Sequence, residues 1–192
     1  MAVESFMLPL GSPAPAFELV DTISGKTYTL DAFADKKALL VMFICNHCPY
    51  VKHVQHGLVE LGADYEDADA AIVAISANDP VDYPEDGPEE LGATGRQLGY
   101  RFPLLFDESQ DVARAYHAAC TPDFFLFGPD RRLVYRGRMD GSHPNSGIPV
   151  TGEELRDAID AVLDDRAVTE TQYPSMGCSI KWRSGDEPVL FS

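Results

Sequence analysis

Phe43-Ile44-Cys45-Asn46-His47-Cys48-Pro49-Tyr50-Val51 is the stretch where one kind of periodicity gives way to another. The run leading into it, Ala38-Leu39-Leu40-Val41-Met42-Phe43-Ile44, has the length and β-branched content of a buried strand. After it, Val51, Val54, Leu58, Leu61 and Tyr65 recur at steps of three and four, the spacing of one helical face. Pro49 suits the first helical position, where its missing N–H costs nothing. Gly57 and Gly62 weaken the second half of that helix. Two thiols therefore stand where a buried strand becomes a helix.

That position favours thiol chemistry. The amides and macrodipole of a helix N-terminus stabilise negative charge, and a cysteine there ionises more easily. A free thiol pKa of about 8.5 falls to roughly 3.5–7.5 in such a setting or in a Cys-x-x-Cys pair. The thiolate is the nucleophile, and the second cysteine can close a disulfide. His47, between the two, can add positive charge or a hydrogen bond to the same thiolate.

Composition narrows the partners. The chain has 31 acidic against 15 basic residues, a formal net charge of −16, which argues against nucleic acid or an anionic membrane surface. No apolar run approaches the ~18–20 residues of a membrane span. Met1-Ala2-Val3-Glu4-Ser5-Phe6 has no basic region and no long apolar core, so no signal peptide is expected. The 4 cysteines among 192 residues are too few for a disulfide scaffold, and a cytoplasmic setting is expected. In that setting a close cysteine pair is catalytic or metal-binding rather than a staple.

The remaining chain supplies a regular alternation. Residues 1–15, ending in Gly11-Ser12-Pro13-Ala14-Pro15, are too rich in proline for regular structure. Phe17–Val20 and Lys26–Leu30 flank Ser24-Gly25 as a hairpin, and Ala71–Ile75 is a second buried strand. The loop 78–87 is long and acidic, and Pro88 opens a helix carried by Leu91, Ala93 and Leu98. Pro103 makes Phe102–Phe106 an edge strand or extended piece. Ser109–His117 reads as a helix with Val112, Ala115 and Tyr116 inward. Phe124–Phe127 and Leu133–Arg136 form a hairpin about Gly128–Arg132. Thr151 and Glu154 predict a capping box opening a helix with Leu155, Ile159, Val162 and Leu163 on one face. Beyond Asp165 the pattern fades, and Met176 and Trp182 are expected to pin the tail to the body. Strands alternating with helices imply an α/β fold, one central mixed sheet covered on both faces. A single domain is expected over 1–192, with its core at about 11–165 and a tail at about 166–192.

Three features together resemble the thioredoxin-like superfamily. They are the Gly11–Phe17 opening, the apolar strand running from Phe43 into Cys48, and Thr121-Pro122 before Asp123–Phe127. Within that superfamily, Cys45–Val51 and the tail Gly177–Trp182 look like uncharacterised bacterial members of the peroxiredoxin-like branch of alkyl hydroperoxide reductase/thiol-specific antioxidant proteins. The resemblance implies a thioredoxin-like fold with an N-terminal hairpin extension. It also implies that Thr121-Pro122 is a cis bond facing the active thiols and binding substrate.

The resemblance bears on the roles of the two thiols too. In thioredoxin-like chains the strand phenylalanine precedes the attacking cysteine by five positions, and Phe43 stands five before Cys48. Cys48 is thereby the expected nucleophile and Cys45 its resolving partner, although the first cysteine of such a pair is the usual choice. The Pro-x-x-x-Thr-x-x-Cys motif of peroxiredoxins is missing at both cysteines. Cys45 and Met42 stand where the threonine would be, Val41 and Ala38 where the proline would be, and Val51 occupies the peroxidatic position.

The expected activity is thus a thiol–disulfide oxidoreductase acting through a mixed disulfide, with Cys48, Cys45 and His47 as catalytic residues and Thr121 and Pro122 binding substrate. Its partners are protein or small-molecule disulfides and thiols, and it needs no cofactor. The alternatives are a peroxiredoxin-like thiol peroxidase acting on peroxides, and a metal-binding or redox-sensing module. Cys45, Cys48, His53 and His56 have zinc-ligand residue types but a spacing shorter than known sites, so no metal is assigned. Cys120 and Cys178 are candidate secondary redox residues, Cys178 either pairing with Cys120 or relaying electrons; a buried inert thiol is the plainer account of Cys120.

Overall fold

The computed structural model describes residues 2–185 together with 187 and 188. Residues 1, 186 and 189–192 of the expected domain and tail lie outside the described residues. In chain order the strands are β1 (Ala2–Glu4), β2 (Glu18–Asp21), β3 (Thr27–Thr29), β4 (Ala38–Phe43), β5 (Ala70–Ser76), β6 (Leu104–Phe106), β7 (Cys120–Thr121), β8 (Asp123–Phe127), β9 (Leu133–Gly137) and β10 (Met176–Ser179). The helices are α1 (Pro49–Asp64), α2 (Pro88–Leu98), α3 (Asp111–Ala115) and α4 (Glu153–Leu163).

A seven-stranded mixed sheet, in the order β3-β2-β6-β5-β4-β8-β9, forms the centre. Strand β4 lies parallel to β5 and antiparallel to β8, and every residue of it is buried. That is why its sequence reads as an unbroken apolar run. Its side chains still alternate. Leu40 and Met42 enter one core with Val54, Leu58 and Leu61 of α1 and Leu155 and Ile159 of α4. Leu39, Val41 and Phe43 enter a second core on the opposite face with Phe17, Val112 and Tyr116. Each fully buried leucine on these faces contributes roughly 1.5–3 kcal/mol. Helix α1 runs its full 16 residues. Its glycines serve close packing: a Cβ on Gly57 would stand 2.9 Å from Val150, and one on Gly62 2.8 Å from the Phe102 ring.

Several local expectations are corrected. The stretch Phe102–Phe106 is not an edge: β6 lies between β2 and β5. Pro103 falls just before the strand, where it needs no donor and its carbonyl accepts from Ala74 N–H at 3.0 Å. The helix expected over Ser109–His117 shrinks to α3, bounded by positive φ at Gln110 and His117. In it Ala113 packs inward while Ala115 is exposed. The Thr151–Glu154 capping box does not form. Gly152, at φ 67°, is the N-cap of α4, the Asp140 carboxylate takes the Thr151 and Gly152 amides at 2.8 and 2.6 Å, and Glu154 turns to Arg138 at 2.6 Å.

The two chain ends also depart from expectation. Residues 1–15 hold β1, and the tail holds β10; with β7 they form a separate antiparallel sheet in the order β1-β10-β7. Ile180 and Trp182 anchor the tail in the second core, and Arg114 lies over the Trp182 ring at 5.3 Å. Met176 does not pin the tail, being 46 % exposed.

Candidate active site

Strand β4 ends at Phe43, and the chain turns through Cys45-Asn46-His47 into α1, whose N-cap is Cys48 and whose first residue is Pro49. Cys48, as the N-cap, has extended backbone (φ −69°, ψ 123°), and its Sγ stands at the positive end of the helix dipole. Beneath the pair, Thr121-Pro122 is a cis peptide. Cys48 Sγ lies 3.1 Å from the Thr121 carbonyl oxygen, and Cys45 Sγ lies 3.2 Å from Thr121 Oγ1. Pro122 also lines a cavity of about 260 Å³ with Tyr50, His53, Ser142 and Met176.

The two thiols are electrically unlike. Hydrogen bonding from Cys45 is the largest influence on Cys48 and lowers its pKa to about 4; burial opposes this, while hydrogen bonds from the Cys178 side chain and the Val51 backbone support it. Cys45 moves far the other way, first because its proton serves Cys48, then through burial and the nearby Asp86 charge. Both directions favour negative charge on Cys48, the thiol at the helix N-terminus, over Cys45. Both are shut away from solvent, Cys48 at 0 % and Cys45 at 3 % exposure.

His47 does not face Cys48, as the sequence suggested it would. Its Nδ1 donates to Asp86 Oδ2 at 2.5 Å and lies 3.7 Å from Cys45 Sγ, while its ring stacks on Tyr83. Asp86 is fully buried and also accepts the backbone N–H groups of Asn46 (2.7 Å) and His47 (3.1 Å) and the Asn78 amide (2.8 Å). This one carboxylate shapes the turn that carries both cysteines. Sequence reasoning missed it, because Asp86 is one acid in an acidic loop and its partners stand 39 and 40 residues earlier.

The set Cys45, Cys48, His53 and His56 does not assemble. His53 Nε2 lies 3.1 Å from Ser142 Oγ, and His56 pairs with Glu60 on an exposed face. Cys45, His47 and Asp86 do gather their donor atoms within 4.8 Å. Two ligands of one tetrahedral ion at ~2.0–2.2 Å stand about 3.3 Å apart, so the 2.5 Å His47–Asp86 contact is a hydrogen bond rather than half of a ligand set.

The other two cysteines separate. Cys120 is fully buried, its pKa held well above the ordinary value by burial first, and its S–H faces the Pro122 carbonyl at 3.7 Å. Cys178 is only half-buried and stands opposite Thr121 in the β10–β7 register, whereas Cys120 pairs with Ser179. Its side chain packs on the core cluster that holds Cys45 and Cys48, and Cys178 stands opposite the threonine whose hydroxyl meets Cys45. All four cysteines are free thiols. Next to Cys120, the buried Asp123 carboxyl rises to about 7 through burial, offset by Arg136 at 3.6 Å. No helix among the described residues is long and apolar enough to cross a membrane.

Comparison with known proteins gives the family and the fold. A sequence profile described as the AhpC/TSA family matches residues 10–136. An uncharacterized conserved protein from Geobacillus kaustophilus is 55% identical, with a TM-score of 0.94 over 95% of this chain and 97% of its own. A hypothetical protein from Sinorhizobium meliloti 1021 is 48% identical, with a TM-score of 0.93 over 95% of this chain and 99% of its own. The thioredoxin domain of a thiol-disulfide oxidoreductase from Bacteroides vulgatus shares 22% identity and a TM-score of 0.57 over 68% of this chain and 89% of its own, a likeness of fold. A comparison with curated proteins finds no match.

Proposed function

Because the chain belongs to the AhpC/TSA family and has a thioredoxin-like fold, we propose that it is a thiol–disulfide oxidoreductase with Cys48 as nucleophile and Cys45 as resolving thiol. The observation that carries this reading is two buried thiols at one helix N-terminus, Cys48 at the N-cap, both against Thr121 of a cis Thr121-Pro122 bond. Cys48 thiolate attacks one sulfur of a disulfide, a new S–S bond forms, and the other sulfur leaves as thiolate. Cys45, losing its proton, then attacks Cys48 Sγ and expels the second substrate sulfur. The substrate gains two electrons and becomes two thiols, and the protein keeps the Cys45–Cys48 disulfide. Read backwards, the same steps oxidise external thiols, and the low Cys48 pKa favours that direction by making Cys48 a good leaving group. His47 acts as a positioning residue through Asp86, and Thr121 holds both sulfurs. Close thiols used for chemistry rather than as staples suit a reducing compartment such as the cytoplasm.

Family membership favours one second reading, reduction of peroxides through a sulfenic acid on Cys48. The test begins with reduced protein and limiting oxidised glutathione, followed by alkylation and mass spectrometry. A Cys45–Cys48 disulfide is expected; Cys48→Ser loses it, and in Cys45→Ser Cys48 is still the thiol driven into a disulfide. A Cys48 that alkylates freely in Cys45→Ser overturns the assignment. A dimedone adduct on Cys48 after peroxide, formed before any disulfide, selects the peroxidase.

A further inference from the structure

The pair at the heart of the site is sealed, with Cys45 and Cys48 both buried, so its chemistry needs a route to the surface. The tail supplies one. Strand β10 pairs with Cys120-Thr121, the two residues just before the cis peptide, and sets Cys178 directly opposite Thr121. Thr121 is also the residue whose carbonyl oxygen lies 3.1 Å from Cys48 Sγ and whose hydroxyl meets Cys45. Three sulfurs thus surround one residue, and Cys178 is the one that reaches solvent.

The close fit of β10 depends on its sequence. A Cβ on Gly177 would lie 2.0 Å from the Thr121 carbonyl oxygen and 3.2 Å from Pro122 N, so only glycine lets the tail approach the cis bond this closely. Lys181 and Asn78 clamp the strand's far end to the loop that carries Asp86: Lys181 N–H donates to Asn78 Oδ1 at 2.8 Å, and Asp79 N–H to the Lys181 carbonyl at 2.8 Å. Because β10 occupies the open edge at Thr121, an external strand cannot pair there while the tail is in place.

We propose that Cys178 is a third redox thiol, the surface port of the site, and that a Cys48–Cys178 disulfide is the intermediate through which external thiols and disulfides exchange with the buried pair. This rests on Cys48 being the reactive thiol. In the oxidising direction an external thiolate attacks Cys178 Sγ; the new bond joins it to Cys178, the Cys48–Cys178 bond breaks, and the electron pair leaves on Cys48. A second external thiolate attacks the first one's sulfur, forming the product disulfide and expelling Cys178 as thiolate, which takes a proton. Two thiols are oxidised and the protein gains two electrons. An external disulfide reverses both steps. Exchange with the buried pair follows when Cys45, giving up its proton, attacks Cys48 Sγ and frees Cys178. At the N-cap of α1, where the helix N-terminus stabilises negative charge, Cys48 is the best leaving group of the three.

The test uses the full chain, reduced, then mixed with one equivalent of oxidised glutathione, quenched with an alkylating agent and mapped by mass spectrometry over time. In Cys45→Ser a Cys48–Cys178 disulfide is expected, with both glutathione molecules released. In Cys178→Ser the Cys45–Cys48 bond still forms, but at least about tenfold more slowly than in the unmodified chain. A Cys45→Ser protein that stops with glutathione on Cys48 and an alkylated Cys178 overturns the proposal, as does a Cys178→Ser protein that oxidises at the unmodified rate. The parent assignment fails in a different way: Cys48 would then be free of every disulfide in all three proteins. Circular dichroism of each variant before oxidation separates a lost fold from a lost thiol.

Discussion

Replacing Cys48 by serine isolates what the thiolate contributes to folding. In the fold Cys48 ionises at about 4, against 9.0 for an ordinary thiol, chiefly because Cys45 donates to it. Between those values the unfolded chain holds a proton that the native state does not. Stability from this group therefore rises with pH by about 1.4 kcal/mol per unit, is fully present above the unfolded pKa, and is lost as pH falls through the folded one. Near pH 7 the contribution is roughly 4 kcal/mol. That figure is a ceiling, since serine still offers a hydroxyl to the Thr121 carbonyl that Cys48 faces. The absolute stability curve mixes in a second group. Asp123, raised to about 7, holds a proton in the fold that the unfolded chain has released, and so pulls stability down between about pH 4 and 7. The difference between the unmodified protein and Cys48→Ser cancels that term. Urea denaturation of both, kept reduced, at several values from about pH 5 to pH 8 is the assay. The gap is expected to widen by about 1.4 kcal/mol per unit. A gap that stays constant across this range refutes the thiolate.

Asp86→Asn removes the charge from a buried acceptor of four hydrogen bonds and turns an NH₂ group toward donors. A loss of roughly 1.5–3 kcal/mol is expected in urea denaturation. Because the Asp86 charge also pushes the Cys45 thiol up, Cys45 in that variant should alkylate at lower pH; an unshifted profile contradicts the coupling. Gly177→Ala must move β10 off the Thr121 carbonyl, at about 1–3 kcal/mol. Hydrogen exchange should then lose protection over 176–179, and unchanged protection would show that the strand absorbs the methyl group. Asp123→Ala leaves Arg136 buried without its partner. A loss of about 3–5 kcal/mol is expected by denaturation, and a loss under about 1 kcal/mol would mean that the guanidinium finds another acceptor.

Much of the frame was legible because it depends on local signals. The strand–helix junction at 38–51 is written in an apolar run, a proline and a helical stripe, and Cys48 stands at the N-cap where those signals put it. The cis bond at Thr121-Pro122 followed from the family resemblance. Elements whose stability comes from partners rather than from pattern were misread. Strand β10 is short and partly exposed, and it exists because β1 and β7 pair with both its edges. Pro103 suggested an edge because a missing donor matters only inside a ladder, and it stands one residue outside.

The sequence by itself determined the fold class and the position of the thiol pair, since hydrophobic period and helix-start chemistry act over a few residues. Tertiary structure alone decided which charges and thiols surround that pair. Asp86 reaches the active turn from 39 residues away, His47 turns toward it, and Cys178 arrives from the far end of the chain to stand opposite Thr121. A thiol's ionisation depends on donors and charges within a few ångströms, and distance along the chain carries no record of which groups those are.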